Sequence, residues 1–495
     1  MTWFKSPWVI ISHIFMCATS LFVGIATGAG PFYLLSQVLM HTSVYLSLSL
    51  LRTWPLVNPA HFVIFLFYWW ISVAPIVIGL SSYLTEDISR SVSIQDNSVV
   101  PILITCFGLL LFSICSRITL RFIRQVNLGL KALLPIPGRY TIMNISILLS
   151  IGAIATLILG LSQAAFGMGI EETDYLGGQK TTVWWMGLLQ VVAQTTNVTS
   201  SVIISAYFLC EPKDRKKFRL LAIVVLAIGL FTAITSGWKG AFVSLFMYLI
   251  IAYVATRQRI PWRAIVLLAV LYLFVIEPFV SFGRVVAQNE GITSSEDRKR
   301  LFLSVLASGD FLNADDDRGI QIESPFRGIA IHAAQITKET SLFNGAWHGR
   351  TVISGLESLV PRAIYPGKPD SDTGALYARE IGYRAGVSSK YTKAASAVSV
   401  PFDIVMNWGW LSGVLCFGVL GFIWTFLCGL TLTERHMSNH PMNPYILLIS
   451  IGLEGTFGSF AGRLRNGFIV IAIMVLVLSA ISQQKKRTRL THRNL

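Results

Sequence analysis

The chain has 495 residues, of which 53% are hydrophobic and only 13% charged, and its mean hydropathy is +0.62. Soluble domains carry about a quarter charged residues, so these values exclude an ordinary water-soluble protein and leave an integral membrane protein. The net charge of +15 does not point to nucleic acid, because the cations are divided among alternate loops instead of forming one basic surface.

Apolar runs approaching the ~20 residues that cross a hydrocarbon core recur along the chain, which predicts about 12 spans. They fall at roughly 8–27, 31–51, 60–83, 99–115, 141–162, 183–210, 220–237, 241–255, 264–282, 401–432, 444–460 and 467–482. No ten-residue polar/apolar alternation of the kind a spanning barrel needs is visible, so the predicted fold is all-α and polytopic. The first run lacks a small-residue cleavage signature and reads as a retained helix. Alternate loops then carry Lys5, Arg52, the Arg117–Arg139 cluster, the Lys213–Arg219 cluster, Arg257, Arg259, Arg263, Arg435 and the basic tail, opposed only by Glu211, Asp214 and Glu434. The positive-inside rule puts that face, and both termini, in the cytoplasm. Cys17, Cys106, Cys115, Cys210, Cys416 and Cys428 all lie in or beside apolar runs without CxxC spacing, which argues against a disulfide framework or a zinc site.

The chain therefore divides into nine spans (1–282), a large external loop domain (283–400), three more spans (401–482) and a basic cytoplasmic tail (483–495). The loop holds nearly equal numbers of cations and carboxylates, and cations retained on the outer side invite a functional reason. Within it, Ser324–Thr340 opens on Ser-Pro and repeats apolar residues at Phe326, Ile329, Ala333 and Ile336, the spacing of an amphipathic helix. Thr351–Val360 predicts a second short helix ending before Pro361, and Pro366–Thr373 an ordered turn. Asp315, Asp316 and Asp317 read as a solvated loop. No P-loop, HExxH, GxSxG or dinucleotide fingerprint occurs, which argues against ATP-driven transport and the common hydrolase and dehydrogenase chemistries.

Cations held at the outer surface suit a polyprenyl pyrophosphate, since arginine binds phosphate oxygens in pairs and lysine adds point charge. The candidates are Lys239, Arg284, Arg327, Arg350, Arg362, Lys368, Arg463 and Arg465; the plain alternative is pairing with the loop carboxylates. Glycosyl transfer also needs a group to take a hydroxyl proton. His348, in the glycine-flanked turn GAWHGRT, is a candidate base, with Asp370, Asp372 and Asp403 as alternatives; His332, beside its helix's apolar stripe, reads as structural. Asp403 opens the tenth predicted span, and Glu277 and Glu454 lie in others. An ionised group there is costly unless paired or functional. The run Tyr68-Trp69-Trp70 reads as helix packing, and Trp408 and Trp410 as an interfacial belt.

The stretch Pro325–Pro369 resembles the large periplasmic loop of Wzy-type oligosaccharide repeat-unit polymerases. The likeness rests on Arg327, Gly345, Pro361-Arg362, Tyr365-Pro366 and Lys368-Pro369, then Pro401, Asp403 and Asn407-Trp408-Gly409 as the chain re-enters the membrane. Ser236-Gly237-Trp238-Lys239-Gly240 is similar to the family's Ser-Gly-Ser-Arg turn, with Lys in place of Arg. The resemblance implies a GT-C-like, cofactor-free and metal-independent glycosyltransferase of the bacterial inner membrane, facing the periplasm. Such an enzyme moves a growing glycan from undecaprenyl pyrophosphate onto a lipid-linked repeat unit. Its implied partners are those lipid-linked donors and acceptors, membrane lipids and, in some systems, a chain-length regulator. An O-antigen ligase acting on lipid A core and a lipid-linked oligosaccharide flippase are the alternatives.

Overall fold

A computed structural model describes residues 7–51, 59–76, 95–125, 150–152, 154–155, 195–209, 212–236, 239–257, 261–290, 295–312, 327–360, 364–365, 398–431, 443–458, 460–469 and 472. Among them every regular element is helical. In chain order the α-helices are α1 (Pro7–Ala26), α2 (Pro31–Leu50), α3 (Pro59–Tyr68), α4 (Val99–Gln125), α5 (Thr195–Leu209), α6 (Pro212–Ser236), α7 (Lys239–Arg257), α8 (Trp262–Leu271) and α9 (Glu277–Asn289). They continue with α10 (Ser295–Ser308), α11 (Arg327–Lys338), α12 (Thr340–Phe343), α13 (Arg350–Leu359), α14 (Val400–Trp408), α15 (Trp410–Thr431) and α16 (Asn443–Ser450).

Four described stretches are long and apolar enough to cross a membrane: Gln95–Ile123, Phe218–Thr235, Trp262–Ala287 and Trp410–Leu427. His13–Ala26, Ala60–Ile76, Thr199–Phe208 and Leu245–Val254 are shorter apolar helices. Predicted span 141–162 falls largely outside the described residues, 183–210 is described only over 195–209, and 467–482 is described little beyond its first turn.

Two predicted spans are broken. The run 401–432 divides at Gly409, whose φ of 86° no helix accommodates and which glycine takes without steric cost. The run 444–460 ends its α-helix at Ser450, passes through a 3₁₀ turn at Ile451–Glu454 and turns a corner at Gly455. Conversely, the ninth predicted span does not stop at 282: α8 passes through a π-helical turn, Tyr272–Ile276, into α9 and runs to Asn289.

Helices α4 and α15 make the closest pairing. Gly421 lies against the backbone of Phe112, Gly108 against the Phe417 ring, and the Ser116 hydroxyl donates to the Gly421 carbonyl at 3.2 Å. Glycines at a helix crossing let backbones approach and gain dispersion contact where lipid gives no hydrophobic drive. The same core takes in Phe67, Phe112 and Phe417 from the apolar helices, Phe402 from α14, and Ala333, Ile336, Leu342 and Trp347 from the loop. The loop helices are thus packed onto the apolar helices through a shared core. Ala333 and Ile336 of α11, two of the four residues that predicted its apolar stripe, are buried in it.

Candidate functional site

Three segments distant in sequence meet around Asp403 on α14. Its side chain is fully buried, and both carboxylate oxygens accept hydrogen bonds. Oδ1 accepts from the Thr351 hydroxyl of α13 at 2.7 Å, and Oδ2 from the backbone N–H of Phe457 at 2.8 Å. Asn407, one helical turn beyond, donates from Nδ2 to the Asp403 carbonyl at 2.7 Å and to the Thr351 hydroxyl, while its Oδ1 accepts the Thr351 N–H at 3.3 Å. A buried carboxylate needs such donors, because each one left out exposes the cost of desolvation. Asp403 precedes the span Trp410–Leu427. Burial pushes its carboxyl above the ordinary range, and the donors from Thr351, Phe457 and Asn407 offset this only in part.

This network pins down the turn preceding α13. Gly345 and Gly349 adopt φ of 89° and 86°, and a Cβ on Gly345 would lie 2.6 Å from the Gly409 nitrogen. Trp347 is buried and donates its N–H to the Met406 carbonyl at 3.0 Å. Between these anchors His348 takes φ 46°, alone in the positive region among the described non-glycine residues. His348 and Arg350 both face outward and are exposed. The glycine-containing turn and the Asn-Trp-Gly corner, separate motifs in the sequence, are therefore one structure.

The far end of α13 is tied as well: Arg465 Nη1 donates to the Val360 carbonyl at 3.4 Å. Arg463 is exposed on the same short helix, 460–469. The structure thus gathers His348, Arg350, Asp403 and Arg465 along α13 and its contacts. Arg284 is exposed on α9, whose buried side belongs to a second core with Phe302 and Phe311. Lys239 and Arg327 are the first residues of α7 and α11. Arg362, Lys368 and Asp370 lie outside the described residues, as do Asp372 and the Asp315–Asp317 run. Glu277 is buried, accepting from the Ser281 hydroxyl at 3.0 Å and from the Tyr272 hydroxyl at 3.4 Å.

Sequence reasoning gave no part to Thr351 or to the Phe457 N–H. Asn407 carried a signal, standing four residues after Asp403 on one helix face; Thr351 carried none. It also read Tyr68 as helix packing, with stacking on a sugar ring as the alternative. In the structure the Tyr68 hydroxyl lies 3.0 Å from His41 Nδ1, and His41 Nε2 lies 2.9 Å from the Ser20 hydroxyl. Alongside, Ser72 donates to Gln37 at 2.6 Å. A histidine four residues after a glutamine, in a helix without charged residues, was the available sign.

Helices of this length and apolarity define the class, an all-helical protein built to associate with a membrane. Residues 178–435 match DUF8712, a domain of unknown function, and the match takes in more than half of the chain. The protein belongs to that family. The matched region contains His348, Arg350, Asp403 and Asn407 and ends before Phe457 and the Arg463–Arg465 pair. No curated protein and no solved structure matches the chain.

Proposed function

We propose that the protein is a membrane-embedded glycosyltransferase, a polysaccharide polymerase. It transfers a growing glycan from undecaprenyl pyrophosphate to a lipid-linked repeat unit at the periplasmic face of the bacterial inner membrane. The observation that carries this reading is the docked turn. A buried carboxylate, an asparagine and three left-handed glycines hold the turn that carries an exposed histidine, His348, and an exposed arginine, Arg350, against the start of a helix long enough to span. Rigid support of a few outward polar groups is what positioning for catalysis requires.

In this reading the acceptor hydroxyl attacks the anomeric carbon of the donor sugar, the C–O bond to the pyrophosphate breaks, and His348 takes the hydroxyl proton. The electron pair leaves with undecaprenyl pyrophosphate. Arg350 stabilises that charge, with Lys239, Arg284, Arg327, Arg362 and Lys368 as further donor-binding candidates. Asp370 is the alternative base. Asp403 acts at one remove, holding Thr351 and so the turn. A single in-line displacement inverts the anomeric centre.

The test is incubation of the purified protein in nanodiscs with a lipid-linked repeat unit, without nucleotide or metal, and display of products on a gel. A ladder of repeat units supports the polymerase, with Arg350→Ala and His348→Ala expected to abolish it. A folded preparation that binds the substrate and yields no ladder removes the proposal, and added lipid A core then tests for a ligase. The flippase reading draws on one observation, the buried His41–Tyr68–Ser20 network among apolar helices, since intramembrane ionisable groups mark transport paths. It predicts that His41→Ala blocks translocation of labelled lipid while leaving any ladder intact.

A further inference from the structure

Helix α13 has two faces with different fates. Its inner face is complete. Thr351 is held by Asp403 and Asn407, Val352 is buried, and Gly355 sits so close to Phe457 and Gly458 that no side chain fits there. The opposite face carries Ile353, Leu356 and Leu359 at helical spacing, and Ile353 and Leu356 are 59% and 51% exposed. The row continues past the helix end through Val360 and Ile364, the latter 75% exposed. Unlike isolated exposed apolar residues, a contiguous row of this kind calls for a covering phase.

The helix ends show which phase. At the N-terminus, a Cβ on Gly349 would lie 3.1 Å from the Trp408 indole. Trp408 and Trp410 flank Gly409 where the span Trp410–Leu427 begins. Both are about half exposed, and from them the outward row Leu411, Leu415, Val419 and Phe422 runs down α15. Tryptophans at a span end mark the headgroup level. At the C-terminus, Arg465 holds the Val360 carbonyl from the helix 460–469, which leads into the last predicted span, 467–482. Ten residues extend about 15 Å, so α13 runs from Trp408, at the start of the span Trp410–Leu427, to the helix 460–469.

We infer that α13 is a membrane-surface helix, its Ile353–Leu356–Leu359 face immersed at the boundary between lipid headgroups and acyl chains. Arg350, exposed at one end, and Arg465, bonded to the Val360 carbonyl at the other, then stand at phosphate level, the arrangement of an interfacial helix. The lipid surface is the committed occupant. Immersion rests on packing and exposure alone. Its consequence, that His348 and Arg350 are set at the height of a membrane-borne pyrophosphate, rests on the polymerase reading.

The experiment uses the full-length chain, with its native cysteines replaced, in nanodiscs of phosphatidylethanolamine and phosphatidylglycerol. Single spin labels go at Ile353→Cys and Leu356→Cys, with Ala346→Cys in the preceding turn as the aqueous reference, and collision with oxygen is compared with collision with a water-soluble nickel chelate. The oxygen-to-nickel ratio is expected to be several-fold higher at 353 and 356 than at 346. Equal ratios at all three sites would mean that the row faces water, and would overturn the inference. Loss of collision with both reagents at 353 and 356 would mean cover by protein, a second copy or a partner, and would overturn it equally. Leu359→Cys supplies the reading if either of those labels prevents folding. Because the readout is collision and not glycan synthesis, immersion and polymerase activity fail separately.

Discussion

At His348 the backbone holds φ 46°, a region where a residue with a Cβ is strained by roughly 1–2 kcal/mol relative to glycine. The strain persists because Gly345, Trp347 and Gly349 fix the turn on both sides. Strain retained at an exposed histidine is the pattern of a residue kept for function. His348→Gly is therefore expected to raise thermal stability by about 1 kcal/mol while abolishing glycan transfer, measured by melting in detergent alongside the ladder assay. A variant that is both more stable and fully active would remove His348 from the mechanism. Asp403 makes a second prediction at this scale. Its carboxyl is raised by burial, so between its unfolded value near 3.9 and its higher folded value the native state binds more protons than the unfolded chain. Stability is then greatest below that window, falls as pH rises through it, and is flat above it. Melting of wild type against Asp403→Asn from about pH 4 upward should show this decline in the wild type and its absence in the variant. Asp403 was legible as a costly charge at a predicted span start. Its buried, bonded state was not, because Thr351 and Phe457, each more than fifty residues away, belong to no local pattern.

Between elements, backbone proximity at glycine sets the geometry. Gly345 meets the Gly409 nitrogen where a Cβ would lie at 2.6 Å, and its φ of 89° is closed to other residues at low cost. Gly345→Ala must displace backbone, which cannot swing away as a side chain does. It is expected to cost about 2–3 kcal/mol, to break the Trp347–Met406 link, and to speed proteolysis of residues 344–349. Gly462→Ala is the control. Its Cβ meets nothing within 4 Å, and in a helix interior alanine gains up to about 1 kcal/mol over glycine. Equal effects of the two substitutions, read by melting and limited proteolysis, would sink the docking argument. The helix Arg327–Lys338 could be read from the apolar period of its residues, and Arg350–Leu359 as a short helix stopped by Pro361, to within a residue of its bounds. The breaks at Gly409 and Gly455 could not, since both lie inside runs that composition alone reads as continuous spans. What stops the helix at Gly409 is a single left-handed residue, and its neighbours Trp408 and Trp410 look the same to a hydropathy window whether the helix continues or ends.

For the whole molecule, one charge asymmetry and one structural face have to agree. Basic residues such as Arg215, Lys216 and Arg257 gather where α6 begins and α7 ends, and the positive-inside rule assigns that side to the cytoplasm. The docked turn and the first residues of α13 lie where α15 begins, with Trp408 and Trp410 at the mouth. If the turn faces the periplasm, the two sets must label from opposite sides of the membrane. Ala346 and Lys216 are both exposed, so each accepts a cysteine with little disturbance. In a background with the native cysteines replaced, Ala346→Cys is expected to react with an impermeant maleimide in spheroplasts. Lys216→Cys should react only after the membrane is opened. The reverse pattern would turn the chain over, put His348 and Arg350 on the side where nucleotide sugars abound, and favour a cytoplasmic donor over a lipid-linked one. Labelling of both from one side would place α13 and the basic cluster on the same face, which a chain with the proposed twelve spans cannot do, because α6 and α15 would then enter the bilayer from a common side.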